Sequence, residues 1–179
     1  GDTLKFLVPG HPGQRELYMF TDRAIRQAPI DATPRFAGIT DDSLGEEFVI
    51  ITHEKFANSA LRYAAYRDSN TVNRLRTKVV FIDEIFNEFG YGSYTPWAIK
   101  NFCRYTLEQW TTKPQHFLIW GKGRTCPRCA GETENYIPVS GNPSNDLEYV
   151  SNMRLDEMDL VPLAGMGRVS IMTDEQGLA

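Results

Sequence analysis

Three short, continuous apolar runs constrain this chain more than anything else in it: "FVIITH" (Phe48 to His53), "KVVFID" (Lys78 to Asp83) and "HFLIWG" (His116 to Gly121). A strand with one wet face alternates apolar with polar residues, whereas a run apolar on successive positions needs cover on both faces. The segments between the runs are long enough to be helices, and strand–helix–strand crossovers make neighbouring strands parallel, in right-handed units. The pattern predicts a layered α/β fold. Phe48, Ile50, Val80, Phe81, Leu118 and Ile119 are then candidate core residues of the sheet.

The helical segments carry their own signals. From Glu54 to Ser69, Phe56, Ala60 and Ala64, flanked by Leu61 and Ala65, share one side, with Glu54, Lys55, Arg62 and Arg67 elsewhere. In "SYTPWAIKNFCRYTLEQW", Thr95 is placed to cap a helix and Pro96 to open it. Ile99, Phe102, Cys103, Leu107 and Trp110 follow as an apolar stripe facing the sheet. Cys103 therefore reads as a core residue. Beyond the third run, Lys122 to Glu157 form a loop rich in Gly and Pro, longer than compact domains usually carry without a reason. "DLVPLAGMGRVSI" (Asp159 to Ile171) offers a fourth strand with Gly165 and Gly167 towards its end. At the other end of the chain, "LKFLVPG" and "ELYMFTD" read as two short strands in a hairpin-like feature outside the α/β pattern. The expected division is 1–45 for these strands and a linker, and 46–179 for the α/β part.

Charge and composition narrow the function classes. Among 179 residues, 41% hydrophobic, the net charge is −4. That is enough apolar material for a core and too acidic for a general nucleic-acid binder, which carries a basic face. No apolar run approaches the roughly 18 to 20 residues that span a bilayer.

"LIWGKGRTCPRC" (Leu118 to Cys129) sets strand-like residues against a loop with Gly121, Lys122, Gly123, Arg124 and a Cys-x-x-Cys pair. A zinc site takes four ligands, and Cys126 and Cys129 supply two, while His11, His53 and His116 are isolated. A thioredoxin-like pair needs a helix starting under its first cysteine, yet Gly131, Glu132, Thr133 and Glu134 follow without helical spacing. "GKGRT" departs from the phosphate-binding Gly-x-x-x-x-Gly-Lys-Ser/Thr loop. An exposed loop, closed by a disulfide in an oxidising compartment, is the simplest state. Its position still matters, since the C-terminal ends of parallel strands are where open α/β sheets build sites.

The blocks "EEFVIITHEKFANSALRYAAYR", "VVFIDEIFNEFGYGSYTPWAIKNFCRY", "PQHFLIWGKG", "NYIPVSGNPSNDLEYV" and "DLVPLAGMGRVSI" together resemble, in the same order, the first half of the peptidase domain of the gingipain family of cysteine peptidases. The resemblance spans Glu46 to Ile171 and is greatest to the branch related to the sortase of the type IX secretion system. It implies a three-layer caspase-like sheet with helices on both faces, a preceding β-rich domain and an extracytoplasmic or cell-surface location. In the family the third strand ends in Gly-Asp. Here Gly121 keeps its place and Lys122 replaces the Asp, so calcium inferred from the family loses a hard oxygen ligand at this position. Asp146, Asp156 and Asp159 remain as candidates, and solvated loop carboxylates are the simpler account of them. No metal or other cofactor is otherwise expected.

By the same resemblance the catalytic His and Cys stand after strands beyond "GRVS", so no catalytic residue is expected within this chain. A thiolate nucleophile needs an imidazole in hydrogen-bond reach. His53, at a strand end, and Cys103, on a buried helix stripe, do not make that pair. The expected role is support of a catalytic second half, with the chain alone inactive on peptide bonds. The alternatives are a non-catalytic module of a secreted or cell-surface protein that captures a protein or surface ligand through Arg124, Arg128, Tyr136 and Tyr149, and a small-ligand binder at the strand ends. Asp146 and the loop residues Gly121 to Arg124 are the candidate ligand positions for either.

Overall fold

The computed structural model describes residues 45–123, 135–141, 143–151 and 161–178, with scattered positions before 45 (5, 7, 10, 13, 16–18, 21, 23, 36 and 38–41). The chain divides into two units, Gly1–Thr33 and Pro34–Ala179, and the sheet with its helices belongs to the second. Of the strand pair expected between Leu4 and Asp22, residues 5, 7, 10, 13, 16–18 and 21 are described, none of them in a strand, and the rest lie outside the described residues.

Four strands, β1 (Phe48–Thr52), β2 (Thr77–Phe81), β3 (His116–Trp120) and β4 (Gly165–Val169), form one sheet in the order β2-β1-β3-β4. Every pairing is parallel, with Phe48 level with Thr77 on one side and with His116 on the other. All five residues of β1 are buried, the structural counterpart of a run without polar alternation. Its successive side chains serve two cores. Val49 and Ile51 pack with Val80, Phe117 and Ile119 against α2 (Ile82–Phe89) and α3 (Pro96–Gln109). Phe48 and Ile50 pack with Trp120 against Ala60 and Ala64 of α1 (Ala57–Ser69) and against Phe56 in the 3₁₀ turn before it. The result is the expected three-layer α/β sandwich, helices on both faces. Each fully buried Ile, Val or Phe contributes about 1.5–3 kcal/mol relative to exposure.

α3 forms as its sequence dictates. Thr95 Oγ1 accepts from Trp97 N, Pro96 occupies the first turn, and Ile99, Phe102, Cys103 and Trp110 are buried, with Leu107 partly so. Trp110 Nε1 donates to Ile39 O and Tyr105 Oη to Thr40 O, tying residues 39–40 to this helix.

Several expectations need correction. The run "KVVFID" is not one strand, because β2 stops at Phe81 and Ile82 opens α2, a helix not anticipated. Leu61 is 52% exposed and Ala65 is exposed too, so the segment buries Phe56, Ser59, Ala60 and Ala64, with Tyr63 partly so, and leaves the Leu61–Ala65 flank out. Gly165 and Gly167 lie at the first and third positions of β4, not near its end. Phe81 and Leu118 are half-buried, unlike Phe48, Ile50, Val80 and Ile119.

Candidate functional site

All four strands point the same way, so their C-terminal ends share one rim of the sheet. The chain passes from β1 to β2 on one side and returns to β3 on the other, which puts the topological switch between β1 and β3. That crevice is where open α/β sheets bind ligands. Here residues 135–138 occupy it. Lys122 O accepts from Tyr136 N and Ile137 N, while Gly121 N and Lys122 N donate to Val169 O and Ile171 O. Tyr136 sits edge-on against Phe56, centroids 4.8 Å apart, and against His53 at 5.5 Å. Ile137 is fully buried beside it. Lys55, just after β1, donates to Tyr136 Oη.

The two glycines follow from this close approach. Gly121 has φ +148°, and a Cβ there would lie 3.1 Å from the Phe56 ring. A Cβ on Gly123 would collide with Ile137 O, an impossible contact. Their absent side chains make room for protein.

Arg168, on β4, organises the rim. Nε and Nη2 bind Asp146 Oδ2 and Oδ1 at 2.7 and 2.8 Å. Nη1 donates to Gly121 O and Ile137 O, and Nη2 also donates to Pro138 O. Every N–H of the guanidinium is thereby used. The pair is largely enclosed, with side chains 12% and 20% exposed. Asp146 belongs to a 3₁₀ turn, Asp146–Tyr149, capped by the Asn145 side chain. Tyr149, fully buried, donates to Pro138 O, and Tyr94 donates to Asn135 O. Burial pushes the Tyr94 phenol up to about 12, with Arg168 opposing it. The Tyr149 phenol is pushed up by burial more strongly, again against Arg168.

A second polar cluster joins the C-terminal residues to α1. Ser59 Oγ accepts from Trp120 Nε1 at 2.9 Å, and Ser59 N donates to Asp174 Oδ1 at 2.8 Å. The hydrogen bond with Ser59 holds the Asp174 carboxyl below its ordinary range. The carboxylate also faces the positive end of the helix dipole.

Gly121, Lys122, Gly123 and Asp146 thus converge on one rim, while Arg124 lies outside the described residues. Asp146 is not a solvated loop carboxylate, since a guanidinium engages both its oxygens. Lys122 Nζ reaches Met172 Sδ. An ammonium and an already neutralised carboxylate do not fit a calcium ion here. Among the described residues no group of three or more His, Cys, Asp or Glu could hold a metal. Asp156, Asp159, Arg128, Cys126 and Cys129 also lie outside the described residues. Tyr149, considered for ligand capture, cannot serve because it is buried. Arg168 and the Ser59–Trp120–Asp174 cluster were missed, because their partners are far apart in sequence and no local pattern marks them.

Nucleophilic chemistry finds no pair on this rim among the described residues. Cys103 is fully buried and its thiol is pushed up by that burial, leaving it an inert core residue. His53 Nδ1 accepts from Lys55 N, and His116 opens β3, at the end of the strand away from the rim.

What fold and rim define is a caspase-like α/β core whose strand ends are braced rather than open. Residues 41–179 match Peptidase family C25, and the chain belongs to that family, the gingipain family. Its fold is similar to the crystal structure of dimeric latent PorU from Porphyromonas gingivalis, with TM-score 0.59 and 19% identity over 74% of this chain and 14% of that one. The chain therefore spans a small part of that relative's length. No curated protein sequence matches it. Among the described residues no helix is long and apolar enough to cross a membrane.

Proposed function

We propose that this chain is the supporting first half of a gingipain-like cysteine peptidase domain, in the branch related to the type IX secretion sortase. Its partner is a second half that carries the catalytic His and Cys. The whole protein cleaves peptide bonds, in hydrolysis or in secretion-associated processing, outside the cytoplasm, with a β-rich domain preceding the sheet. The observation that carries this is the family match over 41–179, combined with a rim on which the described residues offer bracing and no thiol–imidazole pair. In this account Arg168 and Asp146 hold residues 135–141 and 143–149 against the sheet, giving the catalytic half a fixed wall to work against. No calcium is held at Lys122 and Asp146, and neither nucleic acid nor a membrane span takes part.

The natural gene provides the test. Read beyond Ala179, it should encode further strands followed by a His and a Cys, and the extended protein should cleave peptides until that Cys is changed to Ala. A gene that stops shortly after Ala179, or an extended protein whose cleavage survives loss of the Cys, overturns the proposal. The first outcome favours a non-catalytic binding module.

A further inference from the structure

Tyr91 is the one non-glycine residue with left-handed backbone among the described residues, φ +52°, and its side chain is 98% exposed. A residue with a Cβ is disfavoured there, and such strain concentrates at functional positions. The ring recovers nothing by burial. Beside it, between α2 and residues 36 and 38–40, lies an open groove of about 740 Å³ lined by Phe36, Thr40, Glu88, Tyr91 and Gly92 among others. That volume falls within the range of ligand sites and exceeds a single amine or guanidine. Phe36 is a second large aromatic left exposed, at 65%. Glu88 Oε1 is shielded from solvent and accepts no hydrogen bond. A desolvated carboxylate oxygen without a donor is costly and rarely kept without reason.

The three observations select one chemistry. Exposed aromatic faces attract a cation through their quadrupoles, and a carboxylate with one oxygen lacking a donor favours a charged N–H. An anion is repelled by Glu88, and a purely apolar occupant leaves its oxygen unpaired. We propose that this groove docks a basic segment of a partner polypeptide, a Lys or Arg side chain lying over the Phe36 and Tyr91 rings with its head group on Glu88. The terminal torsion of a glutamate is soft, so the carboxylate turns to meet the donor. The left-handed Tyr91 holds its ring out at the groove edge. This docking site shares no lining residue with the strand-end rim and does not depend on a catalytic half.

The test titrates the 179-residue chain with acetyl-Ala-Lys-Ala-Arg-Ala-amide and with the same peptide carrying norleucine at both basic positions, followed by calorimetry and amide shifts. The basic peptide should bind with shifts at Thr40 and Gly92, and the norleucine peptide at least about tenfold more weakly. Tyr91→Asn, which tolerates the left-handed backbone, and Glu88→Gln should each weaken binding by about tenfold or more, while Tyr91→Phe keeps it. Unchanged melting temperatures confirm that the variants fold, and a Tyr91→Gly variant replaces Tyr91→Asn if that one does not. Equal binding of both peptides, no binding, or full binding by the Tyr91 and Glu88 variants overturns the proposal. Tetramethylammonium binding as tightly as the basic peptide overturns the polypeptide as occupant.

Discussion

Arg168 shows why a single side chain can outweigh its neighbours. Its fork satisfies three backbone carbonyls and one carboxylate at once, joining β4 to the chain after β3. Arg168→Ala leaves Asp146 without its cation in a mostly enclosed site and should cost about 3–5 kcal/mol in urea melts. Arg168→Lys keeps the charge without the planar fork and should recover only part of that loss. A cost under about 1 kcal/mol for the Ala variant contradicts the bracing role. Ser59→Ala leaves the buried Trp120 Nε1 without its acceptor, an expected loss of about 1–3 kcal/mol. The two ends of the pH scale test other contacts. Asp174 has a lowered folded pKa, so its contribution is complete above the unfolded value of about 3.9 and is lost as pH falls through the folded one. Asp174→Asn should therefore flatten the acid limb of a stability–pH curve, and an unchanged limb contradicts it. Tyr94 has a raised pKa, so its contribution is present below the unfolded value of about 10 and is lost as pH rises towards about 12. Tyr94→Phe should remove part of the alkaline loss, read alongside phenolate absorbance.

Elements differ in how plainly their residues announce them. β1, β3 and α3 were legible because each carries a complete local signal: an unbroken apolar run, or a Thr-Pro start followed by a stripe. α2 was missed because the apolar run of β2 continues through Phe81 into Ile82, with no polar residue at the boundary. Its signal was nevertheless present. Ile82, Ile85, Phe86 and Phe89 fall at i, i+3, i+4 and i+7, and Glu84 at the third position accepts from Phe81 N. Leu61 and Ala65 were misjudged because an outer-layer helix buries a narrower stripe than its apolar content suggests. Of the rim, the positions of Gly121 to Gly123 were legible from the strand end. The reason for the glycines was not, since it lies in Ile137 and Phe56. Truncation measures these distinctions: Ile50→Ala and Ile119→Ala should each cost about 2–5 kcal/mol, and Leu61→Ala about 0.5 kcal/mol or less. Equal costs at all three would mean that the layers are misassigned.

The molecule as a whole combines a fold that belongs to a peptidase family with a rim whose described residues include no thiol–imidazole pair. Its parallel sheet aims every strand end at one side, which is the arrangement such enzymes need. In this chain Tyr136 and Ile137 fill the crevice at the switch point, and Arg168 locks them there. The one thiol placed by the structure is buried in the core, and burial disfavours the thiolate a nucleophile requires. The most direct measurement incubates the chain with a library of peptides containing Arg or Lys, beside a Cys103→Ala variant and a Cys126→Ala, Cys129→Ala double variant. The account predicts no cleavage by any of the three. Cleavage by the unaltered chain that disappears in either variant would contradict it and return the peptidase chemistry to this chain itself.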